Sequence, residues 1–191
     1  LHELPPAFPW QSTHRLTLDL LLRRDIYMQG YPLGWIKPMW RRQFLLERSL
    51  RYPEQYRHAE DFYLLACALL EGAKFWLRSE PGYVYTLRQG PISGQKSPFS
   101  ASRPNMENIA ASCEDLLHRY SDRLCANQKR RLRGRVRRFL HGGALIEIRT
   151  LLTEPRVVAA VLHAVANPGG PALFAQLRFS ALTGRLGFKQ P

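Results

Sequence analysis

An acidic pair, Glu60 and Asp61, stands where a long apolar run of the sequence begins. The residues that follow, FYLLACALL, are apolar on nearly every side of a helix, so we expect a buried helix with Asp61 at or near its N-cap. A carboxylate there accepts hydrogen bonds from the first backbone N–H groups, and the helix dipole favours its ionised form. An acidic pair fixed at the rim of a buried helix is a candidate general base. The alternative is that Asp61 only caps the helix and Glu60 is solvated.

Two other sequence patterns bear on this interpretation, a histidine before Asp61 and a second acidic pair. His58 lies three residues before Asp61, a spacing that suits a metal site or a His–Asp pair, but no second His or Cys lies nearby in the sequence. The sequence therefore predicts no metal site here. A second acidic pair, Glu114 and Asp115, falls in an amphipathic segment, and we expect it on a solvated helix face.

Basic residues flank the acidic pair on both sides. Upstream, the cation of Lys37 would stabilise charge that develops on an acceptor or a phosphate. Downstream, residues 83–88 alternate as a strand does, which places Arg88 at the strand end, on the face opposite its tyrosines. The planar guanidinium of Arg88 fits a pyrophosphate, and Ser93 follows in a loop. An ordinary surface arginine beside a loop is the alternative.

Four segments occur in a fixed order along the chain: WIKPMWRRQFLL, LRYPE, HAED and YVYTLRQGPIS. This order resembles the acceptor-side half of bacterial family 2 glycosyltransferases of the GT-A fold. In that family a W-x-K-x-x-x-R-x-x-L segment, an L-R-F-P-E segment, an E-D pair with a buried helix, and a Y-x-Y-R-x-x-x-x-S strand follow one another. The resemblance covers residues 35–93, about a third of the chain.

The resemblance implies an inverting glycosyltransferase of cell-envelope polysaccharide biosynthesis. Such an enzyme moves a sugar from a nucleotide-sugar donor to a hydroxyl of a glycan or lipid-linked acceptor. Asp61 would accept the proton of that hydroxyl, and Glu60 would orient the site or the acceptor. Two residues, Trp35 and Lys37, would border the acceptor pocket. The residues implied near the departing diphosphate are Arg88 and Ser93.

One feature departs from the family pattern, because the chain contains no Asp-x-Asp motif. The resemblance therefore implies that the divalent cation, Mg²⁺ or Mn²⁺, is held mostly by residues outside this chain. We interpret the chain as the acceptor-side part of a longer enzyme and Leu1 as an internal cut or a processed end. The predicted fold class is α/β. Residues 1–100 would form a partial GT-A, Rossmann-like half-domain, and residues 101–191 an α-helical C-terminal extension.

Besides the helix at Asp61, four further helices are predicted from periodicity and capping residues. The first would run from Ser12 or Thr13 to about residue 26, and a short one would follow residue 40. Two longer helices would span residues 105–124 and 127 to about 152. The side chains expected to face inward from the second and fourth helices are Phe44, Leu45, Ser49, Leu132, Val136, Phe139 and Leu140.

The chain of 191 residues has a formal net charge of +13, which favours anionic partners: a nucleotide, nucleic acid or an anionic membrane surface. Its three cysteines lack CxxC spacing, which argues against a disulfide framework and suits a reducing cytoplasm. Residues 157–177 contain no Lys, Arg, Asp or Glu, but residues 167–171 split them into pieces too short to span a bilayer. We expect peripheral attachment to the inner face of the plasma membrane. Basic residues crowd one stretch, namely Lys129, Arg130, Arg131, Arg133, Arg135, Arg137 and Arg138.

Two other classes of function remain open. The basic cluster and the net charge would suit an α-helical nucleic-acid-binding module, but the cluster has no interleaved aromatic residues to stack bases. That class also leaves the four ordered segments unexplained, so we do not expect nucleic acid as a partner. The other class is a non-catalytic interaction domain that keeps the transferase frame.

Overall fold

A computed structural model describes residues 13–24, 33, 37–56, 58–78, 105–153 and 156–185. These residues are mostly helical and contain one small antiparallel sheet of two strands. The predicted α/β character is present only in that sheet, and the GT-A architecture stays a prediction. The elements in chain order are β1 (His14–Leu16), α1 (Leu18–Arg24), α2 (Arg42–Glu47), α3 (Glu60–Leu70), β2 (Phe75–Leu77), α4 (Met106–Arg119), α5 (Ala126–Thr153), α6 (Val157–Ala166) and α7 (Gly169–Arg185).

The sheet joins the segment before α1 to the segment after α3. Its register pairs Leu16 with Phe75 and His14 with Leu77. The predicted start of the first helix, at Ser12 or Thr13, is therefore wrong, because residues 14–16 are extended. Helix α1 begins at Leu18, and the hydroxyl oxygen of Thr17 accepts the N–H of Leu20 at 3.2 Å. Pairing with a distant strand overrides the local preference of this segment.

Helix α3 is the centre of the core, as its apolar sequence predicts. Residues 62–68 are all buried. Leu21 of α1, Leu116 of α4 and Leu132 of α5 belong to the same cluster of buried side chains. Helices α4 and α5 therefore complete the core around α3. The first hundred residues and the residues that follow them contribute to one apolar core.

Helix α5 presents one stripe to this core. Leu132, Val136 and Phe139 are buried as predicted, whereas Leu140 is 44% exposed because it lies about 100° round the helix from Phe139. The guanidinium of Arg135 lies 3.9 Å from the centre of the Phe62 ring. One member of the basic cluster is thus used to pack α5 against α3.

Helix α6 exposes apolar side chains to solvent. Only Ala160 of this helix is buried, and the exposed residues are Val157, Val158, Val161, Leu162 and Val165. No single helix within the described ranges is both long and apolar enough to cross a membrane. Val157–Ala166 and Gly169–Arg178 reach that length only as a pair, with a bend of 94° between them.

Helices α2 and α3 end in the same kind of C-terminal turn. After α2, Leu50 N–H donates to Leu45 O at 2.8 Å and Ser49 has a φ of 50°; after α3, Ala73 N–H donates to Ala68 O at 2.8 Å and Gly72 has a φ of 92°. This is the Schellman arrangement, in which glycine is favoured at the left-handed position. Gly72 fits it, as its sequence position predicts. Ser49 occupies the equivalent position after α2 and is exposed, so its predicted inward orientation is wrong.

The two turns give opposite expectations for stability. Ser49→Gly should raise the free energy of unfolding by about 1 kcal/mol, because the strained backbone of a non-glycine residue is relieved. Gly72→Ala should lower it by about 1 kcal/mol from the backbone alone, since a Cβ there would meet no atom within 4 Å. Urea unfolding of both variants checks this. Equal changes in the free energy of unfolding, in the same direction for both variants, would contradict the assignment of these turns as Schellman motifs.

Candidate functional site

Asp61 lies in the first turn of α3, one residue inside the helix. The N-cap is Ala59, which has no side chain that can cap, and Glu60 is the first helical residue. Asp61 therefore lies near the N-cap, as predicted, but at the second helical position and not at the cap itself. The turn before the helix contains His58 with a φ of 73°, a conformation rare for a residue other than glycine.

The surroundings of Asp61 raise the pKa of its carboxyl group. Burial is the largest cause, and the charge of Glu60 adds to it; the charge of Lys37 and a hydrogen bond from Tyr52 act in the opposite direction. Burial also raises the pKa of the Tyr52 hydroxyl, and the neighbouring Asp61 carboxylate raises it further. The sequence predicted that the helix dipole would favour the ionised form of Asp61, but burial outweighs that effect. A carboxylate with a raised pKa holds a proton more readily, which is the property a general base needs.

Glu60 and Lys37 complete the described part of this site. The Oε2 atom of Glu60 is shielded from solvent and has no hydrogen-bond partner among the described residues. A buried carboxylate oxygen without a donor is costly, and a hydroxyl-bearing ligand would satisfy it. Lys37 is exposed and lies close enough to Asp61 for its charge to affect the carboxylate. The other three predicted site residues, Trp35, Arg88 and Ser93, lie outside the described residues.

A cleft of about 320 Å³ shares Tyr52 with this site, but neither Asp61, Glu60 nor Lys37 lines it. Residues 49–55 line one side of it, and Tyr63, Cys67 and Arg119 line the other. Tyr52 both lines the cleft and donates a hydrogen bond to Asp61. The segment LRYPE is one of the four ordered sequence segments, but no pattern in it indicates that the hydroxyl of Tyr52 reaches Asp61.

The described residues do not form a metal site. They include no group of three or more His, Cys, Asp or Glu side chains close enough to hold an ion. Glu60 and Asp61 supply two neighbouring carboxylates, with the cation of Lys37 nearby, and the described residues add no third ligand to them. The described residues alone therefore do not hold a divalent cation.

Asp115 is not on a solvated face, so that prediction is wrong. It accepts a hydrogen bond from the Tyr63 hydroxyl, and this bond links α4 to the buried helix α3. Burial raises the pKa of Tyr63 strongly, and the bond to Asp115 adds to the effect. Glu114 is exposed, as predicted. The two acidic neighbours point to opposite sides because successive helical residues are about 100° apart.

Tyr63→Phe should lower the free energy of unfolding by about 1–3 kcal/mol, because it removes a hydrogen bond to a charged group inside a helix contact. Asp115→Asn should lower it by less, because asparagine still accepts the bond but carries no charge. Glu114→Gln is the control and should change stability by less than about 0.5 kcal/mol. Thermal melts and urea unfolding provide the measurement. If Tyr63→Phe unfolds at the same urea concentration as Glu114→Gln, the bond contributes nothing to the fold.

Comparison with known proteins gives two significant similarities. The chain is 29% identical over 157 residues to succinoglycan biosynthesis protein ExoO of Rhizobium meliloti (strain 1021), a match that covers 81% of this chain and 42% of that protein. It is 37% identical over 71 residues to succinoglycan biosynthesis protein ExoU of the same strain, covering 37% of this chain and 21% of that protein. The chain thus spans less than half of the first relative and about a fifth of the second. No family model matches, and no solved structure shows a significant match.

Proposed function

We propose that this chain is the acceptor-side part of an inverting, family 2-like glycosyltransferase of the GT-A fold that acts in polysaccharide biosynthesis. The observation that carries the proposal is Asp61, a carboxylate with a raised pKa that accepts a hydrogen bond from Tyr52 and lies next to Glu60, whose Oε2 atom has no partner among the described residues. Similarity to two proteins of succinoglycan biosynthesis supports a role in polysaccharide synthesis. The substrates are a nucleotide-sugar donor and a hydroxyl of a glycan or lipid-linked acceptor.

The proposed reaction is a single displacement. The acceptor oxygen forms a bond to the anomeric carbon of the donor sugar while the bond from that carbon to the nucleoside diphosphate breaks, and the diphosphate leaves with the bonding electrons. The proton of the acceptor hydroxyl passes to Asp61. Attack from the face opposite the leaving group inverts the anomeric configuration.

Each neighbour of Asp61 has a separate role in this scheme. Tyr52 donates a hydrogen bond that fixes the carboxylate, and it becomes a weaker restraint once Asp61 is protonated. The Oε2 atom of Glu60, which has no partner among the described residues, accepts a hydrogen bond from a second acceptor hydroxyl and so orients the sugar. Lys37 stabilises the negative charge that develops on the attacking oxygen.

The rest of the machinery remains a proposal about the complete enzyme. Trp35 would border the acceptor pocket, and Arg88 and Ser93 would lie near the departing diphosphate. A Mg²⁺ or Mn²⁺ ion, with ligands mostly outside this chain, would supply charge for diphosphate departure. The test is sugar transfer by the complete enzyme from nucleotide-sugar donors to glycan acceptors. Steeply salt-dependent DNA binding without transfer would favour the nucleic-acid-binding module instead.

We also propose that the protein attaches peripherally to the inner, cytoplasmic face of the plasma membrane through α5 and α6. Helix α6 exposes an apolar surface, with Val158 74% and Val165 75% exposed. Helix α5, against which it packs, carries the basic cluster. The apolar surface of α6 together with the basic cluster of α5 matches the interface of an anionic leaflet, where each nearby Lys or Arg contributes about 1 kcal/mol.

The double variant Val158→Asp/Val165→Asp should bind anionic liposomes at least about tenfold more weakly than the parent, because it places charge on the inserted face. Its melting temperature should stay near that of the parent, since neither side chain is in the core. Flotation with anionic and neutral liposomes measures the effect. Equal flotation of the parent protein with both lipid types would exclude the electrostatic part of the attachment.

A further inference from the structure

Helix α7 packs closely against α5, and two glycines make this possible. A Cβ at Gly169 would lie 2.1 Å from Cδ2 of His141, and one at Gly170 would lie 3.1 Å from the backbone N of Leu145. The first turn of α7 therefore rests directly on α5 and fixes the imidazole of His141. One to two turns along α7 from this contact, the two helices leave a cleft of about 400 Å³ between residues 134–141 and residues 172–176.

The polar groups that line this cleft can all donate hydrogen bonds. They are the side chains of Arg137, Arg138, His141 and Gln176, and no acidic side chain lines the described cleft. The Nη1 atom of Arg138 is shielded from solvent and has no partner among the described residues. The floor is open at Gly134, where a Cβ would meet no atom within 4 Å. The cleft is thus a concave surface with at least two fixed positive charges and an unsatisfied donor.

We propose that this cleft binds a phosphate-bearing ligand, with the phosphate oxygens on Arg137 and Arg138 and further donors from His141 and Gln176. Guanidinium groups match the geometry of phosphate oxygens, and a multiply charged anion satisfies several donors at once. The phosphate belongs either to a soluble diphosphate or to a lipid headgroup. None of the residues lining this cleft lines the cleft that contains Tyr52. The inference therefore stands independently of the proposed transferase activity.

Isothermal titration with inorganic pyrophosphate tests the site. Arg137→Gln/Arg138→Gln should bind pyrophosphate at least about tenfold more weakly than the parent, since two charge-assisted contacts are lost. The matched control is Arg130→Gln/Arg133→Gln, which removes the same charge from exposed positions of α5 outside the cleft. The control should bind within about threefold of the parent, because neither side chain lines the cleft and exposed charges in water act only weakly on one another. Equal weakening in both variants, or no binding by the parent, would overturn the proposal.

A second variant keeps both arginines. Gly134→Glu projects a carboxylate into the open floor of the cleft and should abolish pyrophosphate binding by occupying the cationic site from within. Parent-like pyrophosphate binding by this variant would also overturn the proposal. Vesicles of phosphatidylcholine with and without phosphatidic acid then identify the source of the phosphate. Cleft-dependent binding to the phosphatidic acid vesicles that pyrophosphate competes away indicates a lipid headgroup, whereas cleft-dependent binding of pyrophosphate alone indicates a soluble diphosphate.

Discussion

Asp61→Asn should lower sugar transfer by the complete enzyme by about 10²- to 10⁴-fold, the usual effect of removing a general base. Asparagine keeps the size of the side chain and can still accept a hydrogen bond from Tyr52, but it does not take up a proton at neutral pH. Donor binding should be unchanged, because the carboxylate acts on the acceptor. Steady-state transfer rates at saturating donor and acceptor measure the effect.

The stability of the Asp61→Asn variant separates a catalytic role from a structural one. Because burial raises the pKa of Asp61 in the folded protein, the ionised carboxylate opposes folding as the pH rises through that raised pKa. At neutral pH the asparagine variant should therefore melt at or above the temperature of the parent. The parent should also lose transfer below its raised pKa, at a higher pH than an ordinary aspartate would give.

The matched control is Glu114→Gln, which removes a carboxylate from an exposed position of α4. Asp115, whose neighbours in the sequence look similar, is unsuitable because its bond to Tyr63 holds α4 against α3. The control should transfer sugar at the rate of the parent. Similar transfer rates for Asp61→Asn and Glu114→Gln would end the assignment of Asp61 as the base.

Leu132→Ala should lower the free energy of unfolding by about 2–5 kcal/mol, the range for a large side chain removed from a core. Leu132 is 1% exposed and belongs to the core cluster that contains α3. All four tryptophans lie in the first hundred residues. A substitution in α5 should therefore shift the unfolding curve reported by tryptophan fluorescence as far as the curve reported by far-UV circular dichroism.

Leu152→Ala is the control for this experiment, because Leu152 is on the same helix but 54% exposed. It should cost less than about 1 kcal/mol. If Leu132→Ala leaves the tryptophan transition of the parent unchanged, residues 101–191 unfold separately from the first hundred. The candidate site would then not depend on α5 for its stability.

Local patterns were sufficient for several elements of the fold. The burial of α3 follows from its uninterrupted apolar residues, and the length of α5 follows from a periodic segment without an internal proline. The turn at Gly72 follows from the preference for glycine after a helix. Each of these depends on residues close together in the chain, and a single sequence carries that information.

The misplaced features depend on distant contacts. Strand β1 exists because it pairs with β2, and no residue near His14 indicates that partner. Asp115 was expected in solvent because the hydroxyl that it binds comes from another helix. Helix α4 also ends at Arg119, five residues before its predicted end at residue 124. Residues 120–125 form the connection to α5 instead.

Some features of the candidate site were likewise predictable from the sequence, and others were not. The resemblance brought Lys37 and Asp61 together, and the interaction between their charges agrees with that juxtaposition. Tyr52 was missed because a tyrosine in a turn-rich segment has no feature that indicates the direction of its hydroxyl. The raised pKa of Asp61 was missed because burial of a side chain depends on the whole fold, whereas the dipole of its own helix is visible in the sequence.

The anomeric configuration of the product tests the central proposal most directly. The complete enzyme is incubated with nucleotide-sugar donors and a glycan acceptor, and the coupling constant of the new anomeric proton is measured by NMR before the product can equilibrate. Single displacement with Asp61 as base predicts a product of configuration opposite to that of the donor, and its loss in Asp61→Asn. Retention of the donor configuration, or the absence of transfer from every nucleotide sugar tried, would contradict the account.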